Sequence, residues 1–154
     1  MAKLADIQQF LSQKQIAIIG VSRNPKDLSR LLCTELGKRG CEVLAVNPTM
    51  TELDGKRCYS TIKDIDPVPG AALIMTGTAV LENVVEQCRE AGVRSIWIYG
   101  TNGRSKVSAL SSAACRLAGI TLVEGECPYM FLQGSGGIHR LHGFVRKVFR
   151  SYPV

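Results

Sequence analysis

The chain has 154 residues, 45% of them apolar and 21% charged, with 19 Lys and Arg against 13 Asp and Glu. A chain this long favours one domain that buries about two-thirds of its unfolded surface, and its composition excludes disordered, collagenous and coiled-coil classes. The formal charge of +6 suits an anionic ligand without requiring one.

Along the chain, Leu4, Ile7, Phe10 and Leu11 fall at helical spacing and predict an amphipathic helix near residues 3–12. The same stretch lacks the continuous apolar core of a secretion signal. Ile16-Ala-Ile-Ile19 predicts a first strand, and Leu28, Leu31, Leu32 and Leu36 predict a helix ending near Gly40. Glu42-Val-Leu-Ala-Val46 predicts a second strand. Tyr59-Ser-Thr-Ile62 suggests a short helix, which Pro67 and Pro69 keep from extending. Ala71-Ala-Leu-Ile-Met75 predicts a third strand. Val80, Leu81, Val84, Val85 and Cys88 mark a helix with Thr78 as N-cap and Gly92 as C-cap. Ser95-Ile-Trp-Ile98 predicts a fourth strand, and Val107, Leu110, Ala113, Ala114 and Leu117 a helix stripe closed by Gly119. Ile120-Thr-Leu-Val123 predicts a fifth strand, and Ile138, Leu141, Val145, Val148 and Phe149 a terminal helix near 138–149.

Continuous apolar runs suit strands covered on both faces, and their alternation with helices implies right-handed crossovers. The expected fold is α/β: one domain over 1–154 with a doubly wound, mostly parallel five-stranded sheet and helices on both faces. No run is long enough to span a bilayer. The six cysteines show no C-x-x-C spacing, so no zinc cluster is supported, and a reducing cytoplasm with thiols used as small core residues is expected.

In such a sheet, ligands collect beyond the carboxyl ends of the strands, where strand order reverses. The first loop there is Gly20-Val-Ser-Arg-Asn-Pro-Lys26. Gly20 permits a sharp turn and close ligand approach, Ser22 offers a hydroxyl, and Arg23, Lys26 and, one turn on, Arg30 add positive charge at a helix start. This pattern points to phosphate binding. The loop lacks the second and third glycines of G-x-G-x-x-G, and Val46-Asn47-Pro48 stands where a nicotinamide site needs a ribose-binding acid. A Walker Lys-Ser or Lys-Thr is also absent. Thr76-Gly77-Thr78 and Tyr99-Gly100-Thr101-Asn102-Gly103 complete the rim.

Ile16 to Pro25, Val43 to Pro48, and Leu53-Asp-Gly-Lys-Arg-Cys-Tyr-Ser-Thr-Ile-Lys-Asp-Ile65 together resemble the CoA-binding domain that opens the alpha subunit of succinyl-CoA synthetase and the ADP-forming acyl-CoA synthetases. The ending, Glu124-Gly-Glu-Cys-Pro-Tyr-Met-Phe-Leu132, most resembles the stand-alone members of that group. The resemblance implies a Rossmann-like fold that binds coenzyme A or an acyl-CoA. It places the nucleotide phosphates at Gly20, Val21, Ser22, Arg23, Asn24 and Lys26, and the nucleotide border at Val46, Asn47 and Pro48. It runs the pantetheine path past Met75, Thr76, Gly77, Ile98, Tyr99 and Gly100. Arg23 departs from the small residue of the synthetases.

The synthetases work through a phosphorylated histidine on a second domain, and nothing equivalent can be assembled here. His139 and His142 lack a third partner for a metal. Cys127 sits in a loop expected at the ligand edge, where packing and a mixed disulfide with CoA compete. The expectation is therefore a CoA-binding protein with no catalytic residues and no metal. Two rivals stay open: an oxidoreductase using NAD(P), and a nucleic-acid or partner-binding module using Arg140, Arg146, Lys147 and Arg150. The single Trp and few placed aromatics disfavour single-strand binding. A homo-oligomer or a partner protein is compatible with all of these features.

Overall fold

A computed structural model describes residues 2–100 and 105–132. The terminal amphipathic segment 138–149, with its basic residues and both histidines, lies outside the described residues, as do Thr101, Asn102 and Gly103.

Helix α1 (Leu4–Leu11) precedes strand β1 (Gln15–Ile19), helix α2 (Leu28–Lys38) and strand β2 (Glu42–Val46). A hairpin of β3 (Glu52–Leu53) and β4 (Lys56–Tyr59) comes next, then a 3₁₀ turn at Ile62–Asp64 and strand β5 (Ala71–Ile74). Helix α3 (Thr78–Ala91), strand β6 (Ser95–Ile98), helix α4 (Ala109–Leu117), strand β7 (Thr121–Glu124) and a 3₁₀ turn at Pro128–Phe131 complete the order. The sheet has seven strands among the described residues, in the order β3-β4-β2-β1-β5-β6-β7. Of its pairs, β3–β4 alone is antiparallel; Ile18 of β1 faces Ala45 of β2 on one side and Leu73 of β5 on the other.

The five predicted strands are present, and the hairpin adds two that the prediction of five omits. Leu53 pairs with Lys56 across Asp54 and Gly55, which both have positive φ (51° and 77°), as a two-residue hairpin turn of the primed type requires. The short helix expected at Tyr59–Ile62 is replaced by the end of β4 and the 3₁₀ turn, because Tyr59 pairs in register with Val46. Two apolar layers enclose the sheet. One joins Ala17, Ile19, Ala72, Ile74, Ile96 and Ile98 to α3 and α4. The other joins Ile16, Ile18, Leu73 and Trp97 to α1 and α2.

Two helix expectations are corrected. Gly77, not Thr78, is the N-cap of α3, and no side chain caps it. The α4 stripe is turned outward: Leu110 and Leu117 are 82% and 91% exposed, and Cys115 is the buried residue. The Glu82 carboxylate on α3 accepts from the Ser108 backbone N–H and from the Ser108 and Ser111 hydroxyls, pinning the serine face of α4 toward α3. Those bonds, Ser111 above all, hold the Glu82 carboxyl below its usual range. No helix among the described residues is long and apolar enough to cross a membrane.

Trp97 centres the second layer. It packs edge-on against Phe10 (centroids 5.3 Å apart) and tilted against Phe131 (5.9 Å), and its indole N–H donates to the Glu126 carbonyl at 2.9 Å. Trp97→Ala should therefore cost about 3–5 kcal/mol, read as a lowered urea midpoint by circular dichroism.

Burial pushes the Cys33 thiol up to about 11 and the Cys88 thiol up to about 12 from an ordinary 9.0. The unfolded chain loses these protons first, so their contribution to stability is complete below about pH 9 and is lost as pH rises toward 11 to 12. Urea midpoints should fall steadily over that interval, with a shallower fall in Cys88→Ala.

Candidate functional site

Strand order reverses at β1, which pairs with β2 on one side and β5 on the other. The chain leaves β1 for β2, then returns across the sheet to β5, so the loops after β1 and β5 border a crevice at the carboxyl edge. The backbone stitches this edge together. Gly20 N–H donates to the Val46 carbonyl (2.9 Å), Met75 N–H to the Ile19 carbonyl (2.8 Å), and Tyr99 N–H to the Ile74 carbonyl (2.9 Å).

Three loops touch at glycines. Gly20 has φ +92°, and a Cβ there would stand 3.0 Å from the Met75 carbonyl carbon and from Thr76 Cγ2. A Cβ on Gly100 would stand 3.2 Å from the Thr76 carbonyl oxygen and collide with the Ser105 side chain. Thr76 thus sits between two glycines, and its Oγ1 is buried without a hydrogen-bond partner among the described residues. Gly77, by contrast, has nothing within 4 Å of a Cβ position, so the start of α3 is open and uncapped.

The first loop is braced from within. Ser22 N–H donates to Ser29 Oγ (2.9 Å), Asn24 N–H to Ser22 Oγ (3.1 Å), and Lys26 N–H to Asn24 Oδ1 (3.0 Å). Asp27 caps α2, accepting from Ser29 N–H (2.8 Å) and the Ser29 hydroxyl (2.5 Å). The start of α2, where sequence reasoning expects free amides for phosphate, already holds a carboxylate. Within the loop, the Arg23 N–H has no partner among the described residues. The Arg23 guanidinium reaches the Thr49 carbonyl (2.6 Å), and Lys26 is exposed.

Asn47 joins the second loop to the first. Its Nδ2 donates to the Val21 carbonyl (2.7 Å), and its Oδ1 accepts from the Thr49 N–H and hydroxyl (2.8 Å each). With both ends of its amide engaged, Asn47 braces the backbone. Arg30 does not project as a free cation; it binds Asp54 and the carbonyls of Ser22 and Arg23.

The predicted site residues therefore collect at one edge, but in different roles. Val21, Val46 and Ile98 bury their side chains in the core, Pro48 is exposed, and Met75 and Tyr99 are half-buried. Burial pushes the Tyr99 phenol up to about 12, and the neighbouring Cys127 thiol adds to the rise. Cys127 itself is buried at the head of the last 3₁₀ turn. Sequence reasoning missed Asp27, Ser29, Thr49 and Asp54; the Asp54-Gly55 pair is the signal that would have found the last. A groove of about 310 Å³ between α2 and the hairpin, lined by Cys33, Cys41, Val43 and Arg57, opens beside β2 rather than at its carboxyl end.

This geometry has relatives. An uncharacterized Bacillus subtilis (strain 168) protein, YneT, is 29% identical over 94 residues, which are 60% of this chain and 70% of that one. The ADP-forming acetate–CoA ligase of Methanocaldococcus jannaschii is 29% identical over 94 residues, 61% of this chain and 13% of the ligase. A solved structure of a hypothetical protein from Pyrococcus horikoshii OT3 superposes with a TM-score of 0.69 at 25% identity, covering 84% of this chain and 92% of that one. The CoA binding domain family matches residues 14–133, and the chain belongs to that family.

Proposed function

We propose that this protein binds coenzyme A or an acyl-CoA across the carboxyl ends of β1, β2, β5 and β6. The observation that carries the proposal is the meeting of the β1, β5 and β6 loops at Gly20, Thr76 and Gly100, with Thr76 Oγ1 unpartnered at their junction and the cationic Arg23 and Lys26 on the first of these loops. CoA carries a diphosphate and a ribose phosphate, and the residues present suit such a ligand. Arg23 and Lys26 supply charge, the Arg23 N–H and Thr76 Oγ1 supply unused hydrogen-bonding capacity, and the uncapped start of α3 supplies amides that favour anions. Because Asp27 already satisfies α2, phosphate binding rests on Arg23, Lys26 and the Thr76–Thr78 turn. The half-buried Met75 and Tyr99 suit the less polar pantetheine arm. Asn47, engaged by Val21 and Thr49, offers no acid to a ribose diol, which sets the reading apart from NAD. In this reading the protein holds or presents its ligand in the cytoplasm rather than transforming it.

Isothermal titration should give CoA binding well above dephospho-CoA and NAD, and equal or absent heats for all three overturn the proposal. Arg23→Glu or Lys26→Glu should weaken CoA binding by about 1–3 kcal/mol, the scale of a hydrogen bond to a charged group.

Gly20→Ala places a side chain against the Met75 carbonyl at a positive φ. It should cost more than about 1 kcal/mol of stability and abolish measurable CoA binding. Both are readable from one thermal-shift series with and without CoA.

A further inference from the structure

Arg30 lies one turn into α2, close enough to the phosphate loop to pass for a ligand-binding cation. Its hydrogen bonds assign it elsewhere. Nη2 makes two bonds to the Asp54 carboxylate, at 2.7 and 2.6 Å, and Nη1 is shared between the carbonyls of Ser22 (3.4 Å) and Arg23 (3.3 Å). The Arg30 side chain is 12% exposed and that of Asp54 is 72% exposed, so the carboxylate clamps the guanidinium from the solvent side.

A trans peptide is planar, with its C=O and the following N–H on opposite sides. Holding the Ser22 carbonyl toward Arg30 therefore turns the Arg23 N–H away from it, and this amide, like that of Val21, has no partner among the described residues. The Val21 carbonyl is held in turn by the Asn47 side chain. Three successive carbonyls, at 21, 22 and 23, are thus held by the Asn47 side chain and the Arg30–Asp54 pair. A carbonyl oxygen repels a phosphate, so removing these oxygens from the ligand side matters as much as supplying a donor there. We infer that Arg30 and Asp54 are positioning residues: the hairpin carboxylate fixes the guanidinium, which orients the Ser22–Arg23 peptide for an anionic ligand. This inference rests on the CoA reading of the site and adds that the β3–β4 hairpin controls affinity without touching the ligand.

Asp54→Asn is a clean test. Asn accepts positive φ readily and Asn-Gly is a favoured hairpin turn, so the hairpin is kept while the clamping charge is lost. The expected result is CoA binding roughly two- to fivefold weaker, the scale of one exposed but bidentate ion pair. Arg30→Lys keeps the charge and loses the fork, so it should weaken binding comparably, and the double variant should be no weaker than either single one. Unchanged or tighter CoA binding in Asp54→Asn overturns the inference, because a guanidinium that bound phosphate directly would gain from losing its competing carboxylate. Additive losses in the double variant overturn it as well.

Hydrogen exchange without ligand provides the readout that does not depend on CoA. The Ser22 and Asn24 amides should exchange faster in Asp54→Asn than in the parent, and equal rates overturn the inference. Faster exchange in the variant of a parent protein that gives no heat with CoA would sustain the positioning role and remove the CoA reading instead.

Discussion

The candidate site depends on a contact that only glycine allows. Where β1 ends, the backbone turns at φ +92° and passes within 3.0 Å of the next strand's outgoing backbone, measured from where a Cβ would stand. Any L side chain there would push the β1 and β5 loops apart. The crevice of a doubly wound sheet lies between these two loops, so Gly20 sets how closely its walls approach. Gly100 does the same on the far side of Thr76, against the Thr76 carbonyl and Ser105. The rest of the edge is arranged around that spacing: Asn47 reaches Val21, and the start of α3 is left open.

The central strands were legible in the sequence because burial on both faces writes an unbroken apolar run. Ile16–Ile19, Ala71–Ile74 and Ser95–Ile98 are fully interior or nearly so, and apart from Ser95 their runs are apolar. The hairpin was not legible on that criterion. Glu52, Lys56 and Arg57 face solvent at the edge of the sheet, so β3 and β4 show little hydrophobic pattern, and the Asp54-Gly55 turn is the sole local mark. At the site, residue type and loop position indicated which residues would gather, but not which would be consumed by the scaffold. Arg23, Lys26 and Arg30 are alike in sequence as cations near a helix start. In the fold, one reaches Thr49, one stays in solvent and one is held by Asp54.

Helix α4 shows where periodicity fails for a different reason. Leu110, Ala113, Ala114 and Leu117 form a regular stripe, yet the leucines face out. Periodicity measures one helix against an isotropic apolar surface. Here a single carboxylate, Glu82, offers three acceptor contacts to Ser108 and Ser111, and these fix the rotation of a nine-residue helix. A short helix has little apolar area with which to oppose such directional bonds. Its one fully buried side chain, Cys115, is small.

The same competition between scaffold and ligand explains the electrostatics of the carboxyl edge. A helix start attracts an anion from the solvent only while its amides lack a partner. At α2 Asp27 supplies that anion internally, and through Ser29 it also holds the Ser22 amide. At α3 the cap is Gly77, which brings no side chain. The two helix starts that flank the crevice are thus unequal, one neutralised by the chain itself and one left with partial positive charge. An anionic group entering between them meets attraction on the β5 side and, on the β1 side, a loop whose carbonyls are tied back and whose Arg23 and Lys26 side chains bring full charges. Placing the internal carboxylate at α2 braces the first loop, and leaving α3 without a side-chain cap keeps its first amides open next to Thr76.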